Sequence, residues 1–181
     1  GDVNYPPRPG HLAWRAFQEK QVNHMARAVV DVAHRNGAKV RVFWGDHWIG
    51  MEPYGDFFAE TGTDEIVKAC KSAVVVRMTV DAKGDARKLI RFSPWFSPGE
   101  LFNRADPPDF MERCWGDIKR GALFRMPDGL SWGGSTQDIG FKQPGIYLKM
   151  REIADEFRAM YALAGGKRVF THDLTVYVVN A

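Results

Sequence analysis

The run Lys39-Val40-Arg41-Val42-Phe43-Trp44, closed by Gly45, alternates charged with β-branched and aromatic side chains, which is the pattern of a buried strand. Runs of this kind recur, separated by segments of helical length, and that alternation limits the folds open to the chain. After the Pro6, Pro7, Pro9, Gly10 loop, Trp14, Phe17, Met25, Val29 and Val32 approximate one helical face, and Asn36-Gly37 stops the helix. Strand 40–45 follows. A short helix is predicted from Thr63, its cap, to about Lys71, leading into a strand over 73–80. A further strand spans 88–92, and Pro107-Pro108 opens a helix reaching Leu123. The strand at 130–132 ends at Gly133-Gly134, the helix from Ile146 to Ala164 at Gly165-Gly166, and 174–180 reads as one more strand.

Strands alternating with helices need crossover connections, so the predicted fold is α/β with a parallel sheet. Only three or four barrel strands are present, whereas a (β/α)8 barrel closes with eight over about 250 residues. The expectation is therefore a partial TIM-type barrel, its later strands and helices, as a piece of something larger. With half a barrel's edges exposed, the 181 residues alone are expected to be inactive.

Composition removes several classes of function. Hydrophobic residues make up 45% and aromatics 13% of the chain, enough for a packed core. No run approaches the roughly 18 apolar residues of a membrane helix, and no signal pattern opens the chain, so no membrane partner and a cytoplasmic location are expected. The net charge of +3 is spread among acids, as Arg113, Asp117, Lys119 and Arg120 illustrate, without the basic stripe that tracks a nucleic-acid backbone. Cys70 and Cys114 lack paired spacing and read as buried free thiols of a reducing compartment. HExxH, CxxC, GxGxxG and GxSxG are absent, AGGKR at 164–168 is not a complete phosphate loop, and the five histidines have no ligand spacing. Neither a metal nor a nucleotide cofactor is expected.

Three positives remain, all at predicted strand ends. Asp46 follows strand 40–45 among Trp44, Trp48 and Tyr54, with His47 and Glu52 nearby; aromatic walls would desolvate its carboxyl and raise its pKa toward use as a proton donor. The residues alone leave open whether Asp46 instead caps a turn. Arg91, ahead of Phe92-Ser93-Pro94-Trp95-Phe96, could hold an anion bidentately or make a structural ion pair. Trp132-Gly133-Gly134 could let a sugar or phosphate approach the backbone, or form an ordinary turn.

Taken together, GDHWIGMEPY at 45–54, RFSPWF at 91–96, WGGS at 132–135 and IADEFRAMYALAGG at 153–166 resemble the catalytic barrel of the lacto-N-biose phosphorylases, a family that includes galactosyl-rhamnose phosphorylases. The resemblance covers nearly the whole chain. It implies that residues 1–168 are the C-terminal part of the catalytic barrel and that 169–181 begin, or link to, a central α/β domain. The implied reaction is inverting phosphorolysis of a β-1,3-galactoside to α-galactose 1-phosphate and a free acceptor sugar. It would use inorganic phosphate as co-substrate and no cofactor, in an enzyme for which a homodimer is a candidate assembly. The family's proton donor falls on Asp46 and a phosphate-binding arginine on Arg91, with His47, Trp48, Glu52, Trp95, Trp132 and Gly133 as candidate substrate contacts. A single acid suffices because phosphate is already anionic and attacks without a base, whereas water needs one. Where the family often has tyrosines, this chain has Trp95 and Trp132, which cannot donate a hydroxyl. A two-carboxylate barrel glycoside hydrolase and a non-catalytic carbohydrate-binding remnant are the alternatives.

Overall fold

A computed structural model of the chain describes residues 10–44, 60–95, 98–103, 105–123, 125–133 and 142–164. Its elements are α1 (His11–Arg35), β1 (Arg41–Trp44), β2 (Glu65–Cys70), α2 (Ala73–Val80), β3 (Arg87–Phe92), α3 (Pro98–Phe102), α4 (Pro107–Ala122), β4 (Gly129–Trp132) and α5 (Pro144–Ala164). The strands form one sheet in the order β1-β2-β3-β4. Spatial order therefore follows chain order, as it does around an α/β barrel. The expected strand at 174–180, and the boundary proposed at 168, lie outside the described residues.

The chain divides into two compact units. The first takes in α1, β1, the start of β2 and Ala82–Ala86. Helix α1 ends as the sequence predicts: Gly37, at φ 73°, donates its N–H to His34 and Ala38 donates to Ala33, the paired bonds of a Schellman stop that a left-handed glycine permits. The inward face of α1 is not the one predicted. Trp14, Phe17, Met25, Val29 and Val32 are exposed, and Val30 is buried instead. Asn23 and Arg27 donate to Glu60, and His34 meets Asp64 at 2.8 Å. Spacing of 4, 3 and 4 residues puts Asn23, Arg27, Val30 and His34 on one stripe.

The second unit holds the rest of β2, with α2, β3, α3, α4, β4 and α5. Its core gathers Val76 and Val80 of α2, Ile90 and Phe92 of β3, Met111, Trp115 and Ile118 of α4, and Ile146, Met150, Ile153 and Phe157 of α5. Helix α4 opens on Pro107 and Pro108 and carries Asp109 in its first turn and Lys119 and Arg120 in its last, charges that suit the helix dipole. Its Gly121 lies so close to α2 that a Cβ there would stand 2.7 Å from the Ala73 carbonyl. Between α4 and α5, Trp115 donates its indole N–H to Glu156 at 2.6 Å and Lys119 reaches the same carboxylate at 2.9 Å. Burial pushes the Glu156 carboxyl up, but Lys119 and Trp115 together outweigh it and hold the group below its ordinary value.

One expectation is reversed. The predicted helix at 63–71 is strand β2, and the predicted strand at 73–80 is helix α2. Four β-branched residues in 74–79 argue for a strand locally, but Val76, Thr79 and Val80 are the buried ones, at the i, i+3, i+4 spacing of a helix face, while Val74 is exposed. Packing on α4 and β3 decides the outcome over propensity.

Two aspartates bracket the amino ends of the strands. Val40 donates its N–H to the Asp64 carboxylate (2.7 Å) while Asp64 donates its own to the Val40 carbonyl (3.1 Å). Lys88 and Asp128 repeat the arrangement at 2.7 and 2.8 Å. Each bracket ties the residue before one strand to the start of its neighbour.

Candidate active site

Strands β3 and β4 pair in parallel with Leu89 opposite Gly129, Arg91 opposite Ser131 and Phe92 opposite Trp132. Side chains alternate across a sheet, so Leu89, Arg91, Gly129 and Ser131 share one face while Ile90, Phe92, Leu130 and Trp132 share the other. The second face is covered by helices: the Phe92 ring lies 6.0 Å from Trp115 and 5.8 Å from Trp132, within the core. Arg91 is thus left on the opposite face, at the carboxyl end of β3, which is the end where α/β barrels carry their chemistry.

Beyond the last paired residues, Ser93 donates its N–H to the Cys70 carbonyl (3.1 Å) and Gly133 donates to Phe92 (3.1 Å). These bonds continue the sheet past both strand ends. Ser93 is buried, and its hydroxyl approaches the Arg91 carbonyl at 3.5 Å. An ideal Cβ built on Gly133 would fall within 2.5 Å of Arg91 Cγ and of Ser93 Oγ, and nearer still to Arg91 Nε. The arginine stem therefore runs through the space that a side chain at 133 would take.

The sequence candidates separate on this geometry. Arg91 and Gly133 come together. Trp132 lies on the face opposite Arg91, its ring on Phe92. Trp95 is fully buried with its ring 6.2 Å from Phe110, and its Nε1–H has no hydrogen-bond partner among the described residues. Asp46, His47, Trp48 and Glu52 lie outside the described residues, although β1 ends at Trp44, two residues before Asp46. Ser93 and Ser131, the small polar neighbours of Arg91, were not among the sequence candidates; the signal for them is the period-two step from Arg91 and its register partner. Cys70 and Cys114 are buried thiols that form no disulfide among the described residues, as expected. No described helix is long and apolar enough to cross a membrane.

Residues 2–172 match the model of the lacto-N-biose phosphorylase N-terminal TIM barrel domain. The chain belongs to this family. A 1,3-beta-galactosyl-N-acetylhexosamine phosphorylase of Lachnoclostridium phytofermentans is 29% identical over 180 residues, 99% of this chain and 25% of that protein. One from Bifidobacterium longum subsp. longum is 30% identical over 175 residues, 97% of this chain and 23% of the relative. A D-galactosyl-beta-1->4-L-rhamnose phosphorylase of Lachnoclostridium phytofermentans is 28% identical over 171 residues, 89% of this chain and 23% of that protein. The chain thus spans about a quarter of the length of the curated relatives it matches. Membership of a lacto-N-biose phosphorylase barrel agrees with the four-stranded sheet and its helices.

Proposed function

We propose that the protein carrying this chain is a disaccharide phosphorylase that cleaves β-galactosides with inversion, giving α-galactose 1-phosphate and a free acceptor sugar, and that residues 1–168 are the later part of its barrel. The observation that carries this reading is Arg91: a guanidinium on the face of β3 opposite the helix-packed core, at the strand's carboxyl end, within a chain matched to the phosphorylase barrel over residues 2–172. Arginine presents a planar fork of donors that fits a phosphate bidentately, and it stays charged at any working pH.

In the proposed reaction Asp46, protonated, faces the glycosidic oxygen, and phosphate held by Arg91 faces the opposite side of the anomeric carbon. A phosphate oxygen forms a bond to that carbon as the bond to the leaving oxygen breaks, and the Asp46 proton passes to the leaving oxygen. Attack by the phosphate dianion thus yields the sugar phosphate as its monoanion, a neutral acceptor alcohol and the Asp46 carboxylate; the phosphate monoester then gives its remaining proton back to Asp46 and leaves as the dianion. No second carboxylate is needed, because the nucleophile arrives deprotonated. His47, Trp48 and Glu52 are assigned to sugar contacts, and 169–181 to the entry of the next domain. Galactosyl-N-acetylhexosamine and galactosyl-rhamnose are the substrate classes suggested by the relatives' names. A reducing, cytoplasmic setting suits the two buried thiols.

The test is ³¹P NMR of the complete gene product with β-galactosyl disaccharides, with and without inorganic phosphate. The expected outcome is α-galactose 1-phosphate only when phosphate is supplied, and a loss of about 10²–10⁴-fold in Asp46→Asn, since protonation of the leaving oxygen is removed. Free galactose released in phosphate-free buffer would instead mark a hydrolase. Binding without turnover would mark a carbohydrate-binding remnant.

A further inference from the structure

We infer that Gly133 is a positioning residue for Arg91, an inference that rests on the phosphate-binding reading of that arginine. A glycine is kept either for its backbone freedom or for its lack of a side chain. Freedom does not explain this one. Gly37 sits at φ 73° and so do others in the left-handed region, but Gly133 is not among the glycines with positive φ. What an alanine there would meet is side chain: Arg91 Cγ and Ser93 Oγ at 2.5 Å and Arg91 Nε closer.

The register explains why. Arg91 is paired with Ser131, yet its Nε lies beside Gly133, two residues on and just past the end of β4, so the side chain leans toward the carboxyl end of the sheet. The face of β4 beneath it is Gly129, Ser131, Gly133, small at each step, against Leu89, Arg91 and Ser93 of the neighbouring strand. At Gly129 a Cβ would come within 2.6 Å of Leu89 Cδ2, the same complementarity one step from the other end. The Gly133 backbone cannot easily give way, because its N–H is held by the Phe92 carbonyl at 3.1 Å. The lane over Gly133 is therefore what lets the guanidinium reach past the strand ends, where phosphate would be held, and a methyl group in it would turn the fork aside.

A double-mutant cycle in the complete gene product tests this: Gly133→Ala, Arg91→Ala and the pair. Gly133→Ala should lower kcat/KM for phosphate by about 10- to 100-fold, the penalty of an ångström-scale misplacement, while KM for the disaccharide changes little. In the Arg91→Ala background the same substitution should cost nothing further in kcat/KM for phosphate. Equal losses in both backgrounds would overturn the inference, because Gly133 would then act independently of Arg91. So would wild-type phosphate dependence in Gly133→Ala. Should Gly133→Ala fold poorly, thermal unfolding of the four proteins reads the same lane: truncating Arg91 should recover the part of the stability that its Cγ and Nε contacts cost, the Ser93 Oγ contact holding back the rest, and no recovery at all would overturn the inference. If the wild type makes no sugar phosphate at all, the phosphorylase reading fails by itself. Inorganic phosphate binding by calorimetry across the same four proteins then decides the positioning role, non-additive losses supporting it and additive losses overturning it.

Discussion

Helix α4 contains two glycines that should respond oppositely to the same substitution. At Gly116, near the middle of the helix, an added Cβ meets nothing within 4 Å. Replacement by alanine there removes the conformational freedom glycine brings to the unfolded chain and gains up to about 0.8–1.0 kcal/mol of helix propensity. Gly121 is one residue from the helix end, where the propensity gain is smaller. Its Cβ would stand 2.7 Å from the Ala73 carbonyl oxygen, 2.7 Å from Val76 Cβ and 3.1 Å from Ala73 Cα. Carbon atoms in good contact lie about 3.5–4.0 Å apart, so α2 and α4 would have to separate by on the order of 1 Å. Two of the three contacts are backbone or Cα and cannot rotate away. Overpacking of this kind costs about 1–3 kcal/mol, which exceeds the propensity gain, so Gly121→Ala should be destabilised by about 1–2 kcal/mol net. Urea unfolding followed by circular dichroism, with slopes compared between variants, measures both. The pair should differ by about 2–3 kcal/mol, or roughly 4–12 °C in Tm for a domain of this size. A Gly121→Ala protein as stable as Gly116→Ala would refute the close approach of α2 and α4, and with it the packing described for the second unit.

Two further expectations concern the charged groups. The Glu156 carboxyl is held below its ordinary value of 4.5 in the folded protein, so it contributes stability above that pH and the contribution is lost as pH falls through the lowered folded value. Glu156→Gln should flatten the decline in unfolding midpoint between about pH 5 and 3 relative to wild type, and an unchanged slope would remove Glu156 from the acid response. Asp128→Ala leaves the Lys88 N–H without its 2.7 Å acceptor, at a cost of about 1–2 kcal/mol, whereas Asp128→Asn keeps an oxygen in place and should recover most of it in the same urea assay. Equal losses in the two variants would show that the bracket does not depend on that bond.

Element ends were the most legible part of the sequence where one residue type has one physical use. Asn36-Gly37 ends α1 because glycine alone takes the left-handed turn without cost, and Pro107-Pro108 begins α4 because the first turn needs no N–H there. The exchange of strand and helix over 63–80 was not legible, since Val74, Val75, Val76 and Thr79 favour a strand locally and only the packing of the element on α4 and β3, through the buried Val76, Thr79 and Val80, makes it a helix. The inward stripe of α1 escaped for a related reason. Asn23, Arg27 and His34 are not apolar, and their pull toward Glu60 and Asp64 depends on partners more than 25 residues away. At the site, the motif gave Arg91 and Gly133 as neighbours in function but not in space. Register supplied that, and register also turned Trp132, adjacent in sequence to Gly133, onto the other face.

The aspartate brackets have a consequence for how such a sheet could change over generations. Asp64 and Asp128 fasten the strand starts with bonds that involve nothing at the finish. Segments that leave the strand finishes can then lengthen, shorten or be transplanted between relatives without slipping β1 against β2 or β3 against β4. New specificity could be acquired at one rim while the opposite rim keeps the alignment fixed.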